Sequence, residues 1–402
     1  MENTHTKRLV IGNFKSIKYL DIDCKKVNVF IGKPNVGKSN ILEGISLLGA
    51  TYSRDRDKFL HDLIRYENFY NLLYDNDPDE YVYIVSDTNL SFIKYAITRD
   101  SYRFMTLGKT QFYDDAIRSF PFSEEAKKRM RTTRDYIYNW LDVVFEEESM
   151  KKWYDESLSE IIKTFFDKRL SEPFWQYGEG WFWGNSYVGS KGTTDFFNQI
   201  GFTNNSISIF KKYDFSKGIK IENKDFVNFL MPPHGENLFV TLRRFKELNK
   251  EAVDIFQEYG LNLVFKERDK LFEIQKNIEG IITEYPYSSM ADTLQRIIFY
   301  LLAIETNKNS VLIFEEPEAH SFPPYTKLLA ERIAENESNQ FFITTHSPYL
   351  LQTLIENVVA ENLNIFVTYY EDYQTKVRKI SEEEFRDIDA MDIFFNLDKV
   401  NA

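Results

Sequence analysis

Two kinds of hydrophobic pattern divide the chain. Three short runs, Val27-Asn28-Val29-Phe30-Ile31, Val311-Leu312-Ile313-Phe314 and Phe341-Phe342-Ile343-Thr344-Thr345, are apolar almost without interruption. Strands covered on both faces read this way, so the runs predict a buried parallel sheet. Asn40-Ile41-Leu42-Glu43-Gly44-Ile45 follows the first run with helical spacing, and a second helix is expected from Leu294 to Ile304. Between about 52 and 228 the character changes. Amphipathic segments (Asp57 to Leu73, Glu124 to Phe145, Met150 to Leu170) predict helices there, and Tyr81 to Val85 and Ser91 to Ile97 read as strands. No long heptad array is present, so an extended coiled coil is not expected. The pattern predicts an α/β core split into residues 1–52 and 229–402, interrupted at 53–228 by a large, mostly helical, aromatic-rich insertion.

The turn after the first run carries the clearest chemistry. Gly32-Lys33-Pro34-Asn35-Val36-Gly37-Lys38-Ser39 has every fixed position of a phosphate-binding loop, with a strand entering it and a helix, opened by Asn40, leaving it. Backbone N–H groups and a helix N-terminus must converge on an anionic phosphate, and this strand, turn and helix supply both. Lys38 should reach the β- and γ-phosphates of a nucleoside triphosphate. The Ser39 hydroxyl is an oxygen ligand suited to Mg²⁺.

The second run ends in Glu315-Glu316-Pro317-Glu318-Ala319-His320 and the third in His346-Ser347-Pro348. Open α/β sheets place ligands at the carboxyl ends of their strands. Glu315 can therefore face Mg²⁺, Glu316 can polarise an attacking water with Glu318 next in line, and His346 can sense the γ-phosphate. Taken singly, the two glutamates could be a solvated helix cap and His346 a satisfied turn histidine. Their order behind the phosphate loop favours the chemical reading.

These residues resemble those of the ABC-type ATPases that include RecF, the SMC proteins and the overcoming-lysogenization-defect family. The resemblance lies in Leu9 to Leu20, "GKPNVGKSNILEGI", "MPPHGENL" from Met231 to Leu238, "EEPEAHSFPPY" from Glu315 to Tyr325, and "TTHSPYLL" from Thr344 to Leu351. It covers roughly 7–50 and 230–355 and leaves the middle uncovered. Within the group the chain looks most like the stand-alone ATPase subunits of anti-phage systems such as Septu and PARIS. The resemblance implies an ABC-type P-loop core with ATP and Mg²⁺ as cofactors. It also implies a homodimer or higher homo-oligomer closing around ATP, and a separately encoded nuclease or other effector protein as partner.

Two departures stand out. Glu315 occupies the place where the family has Asp, one methylene longer. The family's Ser-Gly-Gly-Gln signature is replaced by the glycine-free Tyr287-Ser288-Ser289-Met290-Ala291-Asp292-Thr293-Leu294-Gln295-Arg296. Ser288, Ser289 and Asp292 are still expected to present N–H groups to the γ-phosphate held by a partner subunit, with Ser, Asp or Thr capping the helix; a plain N-cap is the alternative.

Composition sets the remaining expectations. With 402 residues, 43% hydrophobic, the chain can bury a large core. Its single cysteine, Cys24, excludes an internal disulfide framework and fits a reducing cytoplasm. No apolar run approaches the ~20 residues of a membrane span. A net charge of −12 argues against a surface that binds duplex DNA everywhere. Local DNA contact stays open through Lys127, Lys128, Arg129, Arg131 and Arg134 or, more weakly, Lys15 and Lys18, with a solvated, ion-paired face as the alternative. Trp175, Trp181 and Trp183, on a glycine-bracketed loop or hairpin, read as core or as a docking surface. A built-in nuclease is not expected. Asp387-Ile388-Asp389 has no third acidic partner, Glu222-Asn223-Lys224 lies too close behind Asp214, and the five histidines show no metal-binding spacing.

Overall fold

The computed structural model describes residues 5–53, 57–97, 100–111, 181–194, 198–201, 207–218, 227–269, 271–381, 384 and 394. These belong to two compact units. One comprises Met1–His5, Cys24–Leu42 and Phe210–Ala402; the other comprises Thr6–Asp23 and Glu43–Ile209. In chain order the first strands are β1 (Arg8–Phe14), β2 (Ile17–Asp23), β3 (Val27–Gly32), β4 (Val82–Ser86), β5 (Asn89–Ala96), β6 (Ser101–Gln111), β7 (Trp181–Val188), β8 (Asn198–Gly201) and β9 (Ile207–Ser208). They are followed by β10 (Phe210–Tyr213), β11 (Asn262–Lys266), β12 (Leu271–Ile278), β13 (Ile281–Pro286), β14 (Val311–Glu315), β15 (Gln340–Thr344), β16 (Leu363–Glu371) and β17 (Gln374–Lys379). The α-helices are α1 (Lys38–Ser46), α2 (Leu238–Arg244), α3 (Lys246–Gln257), α4 (Asp292–Thr306), α5 (Pro323–Glu335) and α6 (Pro348–Asn357).

The first unit is built on a sheet of order β10-β14-β15-β3-β16-β17. All pairs are parallel except the β16–β17 hairpin. The three apolar runs of the sequence are its neighbours β14, β15 and β3. Every residue of β3 and β15 is buried, as parallel strands with both faces covered require. Parallel strands need crossover connections: α5 joins β14 to its neighbour β15, and α6 carries the chain from β15 past β3 to β16. Each opens with proline, which fits a first helical turn because that turn has no use for its N–H. One face of the sheet packs Val27, Val29, Leu312, Phe314, Phe341 and Ile343 against apolar residues of α4, α5 and α6. This is the α/β architecture expected of an ABC-type P-loop core. A small antiparallel sheet, β11-β12-β13, belongs to the same unit. Strand β10 lies inside the stretch 53–228, yet it pairs in parallel with β14.

The second unit is an antiparallel sheet, β2-β1-β4-β5-β6-β7-β8, with β9 joined to β6. The strands expected at Tyr81 to Val85 and Ser91 to Ile97 are β4 and β5. The helix expected over Asp57 to Leu73 does not form: Asp57 onward is a series of turns ending in a 3-10 helix at Phe69–Leu72. Its buried side chains, Phe59, Leu60, Leu63, Ile64 and Phe69, explain the misleading periodicity, because a tightly turning segment can bury residues at helical spacing with, among the described residues, only a single i→i−4 bond, Ile64 N–H to the Leu60 carbonyl, in place of a continuous helical ladder. Of the two settings expected for Trp181 and Trp183, loop or hairpin, the structure shows the hairpin, since β7 and β8 are consecutive antiparallel strands. Both tryptophans sit in β7, paired with β6 on one side and, at Trp183, with β8 on the other. The helices expected at 124–145 and 150–170, the basic cluster 127–134, Trp175, and the 222–224 and 387–389 groups lie outside the described residues.

The weaker basic candidate is also revised at Lys15. Its ammonium pairs with buried Glu43 and donates to the Arg65 carbonyl at 2.6 Å, while Arg65 itself reaches Glu43 at 2.7 Å. Lys15 is thus committed to holding its own unit together.

Candidate functional site

The phosphate loop departs from ordinary backbone where the motif demands it. Gly32 has φ +153°, Asn35 +59° and Gly37 +97°. A Cβ on Gly32 would lie 2.3 Å from the Thr368 carbonyl oxygen of β16, so only glycine fits there. The turn is braced from the same side by Thr375, whose hydroxyl donates to the Val36 carbonyl at 2.9 Å. Lys33, Pro34 and Asn35 are exposed, while Lys38 is buried, and Ser39 and Asn40 follow it in the first turn of α1.

Lys38 folds back over the loop. Its Nζ donates to the carbonyls of Gly32 at 2.9 Å and Lys33 at 2.7 Å. Burial pushes its pKa down, and the charge of Glu316 opposes that shift. The ammonium is therefore held by neutral dipoles at a point where a phosphate would offer a charged acceptor and stronger hydrogen bonds.

Glu315 and Glu316 stand at the carboxyl end of β14, and His346 follows the adjacent β15. Glu316 has φ +43°, and its N–H donates to both the carbonyl oxygen (3.1 Å) and the hydroxyl (3.2 Å) of Thr344. That turn brings its Oε1 to 3.5 Å from His346 Nε2. Partial burial lowers the His346 pKa, Lys38 lowers it further, and Glu316 raises it. Lys38, Glu316 and His346, more than 300 residues apart at the extremes of sequence, are thus within electrostatic reach of one another.

The longer Glu315 meets a cation the sequence reading had not singled out. Lys212 Nζ, on β10, lies 3.6 Å from Glu315 Oε2. Its strand Phe210-Lys211-Lys212-Tyr213 is buried throughout, and two lysines in so short a run conceal the apolar signal of a sheet strand. The neighbouring Lys211 points elsewhere, donating to Asn307 Oδ1 at 2.6 Å and Ser310 Oγ at 3.0 Å. The sequence marks Glu318 only as a reserve carboxylate behind Glu316. The structure buries it beside the His346 backbone, with its Oε1 accepting from His346 N at 3.1 Å.

The signature-like segment is arranged differently from the expectation. Helix α4 begins at Asp292; its N-cap is Ala291, which has no side chain able to cap, so neither Ser, Asp nor Thr fills that role. Asp292 is paired with Lys217 at 2.7 Å, which holds its carboxyl below the ordinary range. Ser288 and Ser289 form an exposed 3-10 turn. Among the described residues these three share no hydrogen bond or ion pair with the loop, the carboxylates or His346. Thr293 is nearer the chemistry, donating to the His320 carbonyl at 2.6 Å in the turn that follows Glu316.

Residues 208–352 match the family model described as "AAA domain, putative AbiEii toxin, Type IV TA system". The match takes in Glu315, Glu316 and His346 and does not include the phosphate loop. A stretch of 66 residues is 42% identical to the DNA replication and repair protein RecF of Lactobacillus acidophilus, covering 16% of this chain and 17% of that protein. The chain is also similar to an SMC head bound to the C-winged helix domain of ScpA, with TM-score 0.45 and 13% identity over 96% of this chain and 100% of the other. A second similar structure is the Pyrococcus furiosus Smc head with an extended coiled coil, bound to the C-terminal domain of ScpA. Its TM-score is 0.42, with 14% identity over 99% and 100% of the two chains. The fold is defined by the strand order of the parallel sheet and by the phosphate loop after β3. Among the described residues no helix is long and apolar enough to cross a membrane.

Proposed function

We propose, from an ABC-type P-loop core of the SMC and RecF kind, that this chain binds ATP with Mg²⁺ and hydrolyses it to ADP and phosphate. The observation that carries this reading is the meeting of Lys38, Glu316 and His346 at the carboxyl ends of three adjacent parallel strands. Lys38 exchanges its two carbonyl acceptors for phosphate oxygens. Glu316, fixed by its two hydrogen bonds to Thr344, takes the proton of the attacking water, and His346 donates toward the γ-phosphate. The Ser39 hydroxyl and the Glu315 carboxylate are the hard oxygen donors that would hold Mg²⁺, which neutralises phosphate charge when bound.

The finer reading is a homo-oligomeric sensor or scaffold of an anti-phage defence complex, with the damage done by a separate nuclease. It is supported by the family resemblance and by the match to the family described as "AAA domain, putative AbiEii toxin, Type IV TA system". The second reading is a RecF-like DNA-repair clamp, favoured by the 66-residue match. Phosphate release from ATP by the purified chain tests the enzyme, and its absence would refute the hydrolase. Stable co-purification with a neighbouring gene product favours the scaffold, and salt-sensitive DNA binding by the isolated chain favours the clamp. Mg²⁺-dependent DNA cleavage by the pure chain would overturn the separate effector. Composite sites have their own test. Mixing Lys38→Ala with Ser289→Arg subunits should restore part of the activity that each variant lacks alone, and a chain that stays monomeric with ATP in the Glu316→Gln background contradicts the oligomer.

A further inference from the structure

Glu318 sits two residues past Glu316 and is nine-tenths buried. One of its oxygens, Oε1, accepts from the Thr345 hydroxyl at 2.5 Å and from the His346 N–H at 3.1 Å. Thr345 Oγ1 in turn accepts from the Ser347 N–H at 2.9 Å, and Ser347 Oγ accepts from Leu350 N at the start of α6. A single carboxyl oxygen therefore gathers, directly or through one hydroxyl, two consecutive N–H groups of the turn that carries His346. Among the described residues the other oxygen, Oε2, has no hydrogen-bond partner, and it is shielded from solvent.

We propose that Glu318 is a positioning residue that locks the His346 turn to the Glu316 turn, setting the imidazole at its working distance from the catalytic carboxylate. This deepens the hydrolase reading and rests on it. Two observations separate the role from that of a second base. The oxygen left over for chemistry is sealed from water, and the oxygen that is engaged is spent on two donors. Burial pushes the carboxyl pKa upward, which agrees with a group that accepts hydrogen bonds without needing to carry charge. Glutamine keeps the engaged oxygen; alanine removes it.

The experiment compares Glu318→Ala, Glu318→Gln and His346→Ala by steady-state ATP hydrolysis, nucleotide affinity and backbone amide exchange over the peptide containing His346. A displaced catalytic group costs on the order of a hundredfold in rate. Glu318→Ala should thus lower kcat by roughly that factor while ATP affinity stays within about twofold. Its His346 and Ser347 amides should exchange faster, and Glu318→Gln should restore both turnover and protection. In the His346→Ala background Glu318→Ala should add little, because it acts through that residue. If Glu318→Gln is as impaired as Glu318→Ala, or the two losses multiply, the carboxylate acts independently and the proposal falls. Thr345→Val, which removes the relay without opening a large cavity, gives the same amide readout should Glu318→Ala fail to fold. A wild-type chain that releases no phosphate refutes the hydrolase reading alone; unchanged amide exchange in Glu318→Ala refutes the positioning role whatever the chain hydrolyses.

Discussion

In the antiparallel sheet, the Ser91 hydroxyl donates to the Leu47 carbonyl at 2.9 Å and lies 2.8 Å from Thr106 Oγ1, while Asn89 reaches Ser208 Oγ at 3.3 Å. In the parallel sheet, Lys38 leans on two main-chain carbonyls and Glu315 on Lys212. The first set is neutral and closed: its members satisfy one another within the unit, between the sheet and the 3-10 turn at Leu47, and have nothing to gain from a ligand. The second set is charged and gathered at strand ends, held by partners that a phosphate or a cation would outbid. Burial of polar groups therefore has different meanings in the two units. In one it specifies packing; in the other it keeps a charged site poised.

The comparison breaks most visibly at Lys38. Two charge-assisted hydrogen bonds are worth roughly 3 kcal/mol or more together, about a hundredfold in affinity. Lys38→Ala should therefore abolish measurable ATP binding by calorimetry, and with it turnover. Retained affinity would mean that the carbonyl-held ammonium is structural, as Ser91 is. Glu316→Gln is expected to cost on the order of 10² to 10⁴ in turnover while ATP stays bound, because the amide keeps the shape and loses the base. Full turnover in that variant would move the base away from Glu316.

The same contrast explains what the sequence could tell. The parallel unit was legible because strands buried on both faces appear as unbroken apolar runs and force their polar residues to the ends, where Gly32 to Ser39, Glu315, Glu316 and His346 stand out. Lys212 was not legible, since lysines inside Phe210-Lys211-Lys212-Tyr213 mask the run and its pairing with β14 spans about a hundred residues of chain. The role of Glu318 escaped for another reason: hydrogen bonds to the backbone of a distant turn leave no mark in residue type. In the antiparallel unit β4 and β5 could be read. The turns from Asp57 to Leu73 mimicked a helix, and the pairing of Trp181 and Trp183 within β7 depends on partners far along the chain.

A smaller effect sharpens the inert side of the comparison. Ser91→Ala leaves the Leu47 carbonyl and the Thr106 hydroxyl each without one buried partner, which should cost about 1–3 kcal/mol of stability by denaturant titration. Turnover per folded molecule should not change. A drop in kcat at unchanged stability would show that the antiparallel sheet takes part in the chemistry after all.

The smallest effect concerns pH and falls on the border between the two behaviours, at a buried polar group that is partly satisfied. Burial raises the Glu318 pKa above its ordinary value near 4.5. From that pH upward the unfolded chain has released the proton while the folded chain still holds it. The folded state thus binds more protons, and this group's contribution to stability falls as pH rises until the folded pKa is passed, then levels off. Glu318→Gln has no proton to lose. Relative to wild type it should therefore gain stability as pH rises above the ordinary carboxylate value, with the difference read from paired denaturant titrations so that every other titrating group cancels. A difference that stays flat above that value would mean the Glu318 carboxyl ionises in the folded protein as readily as in the unfolded chain. A difference of opposite sign would mean that its bonds to Thr345 and His346 favour the carboxylate more strongly than burial opposes it.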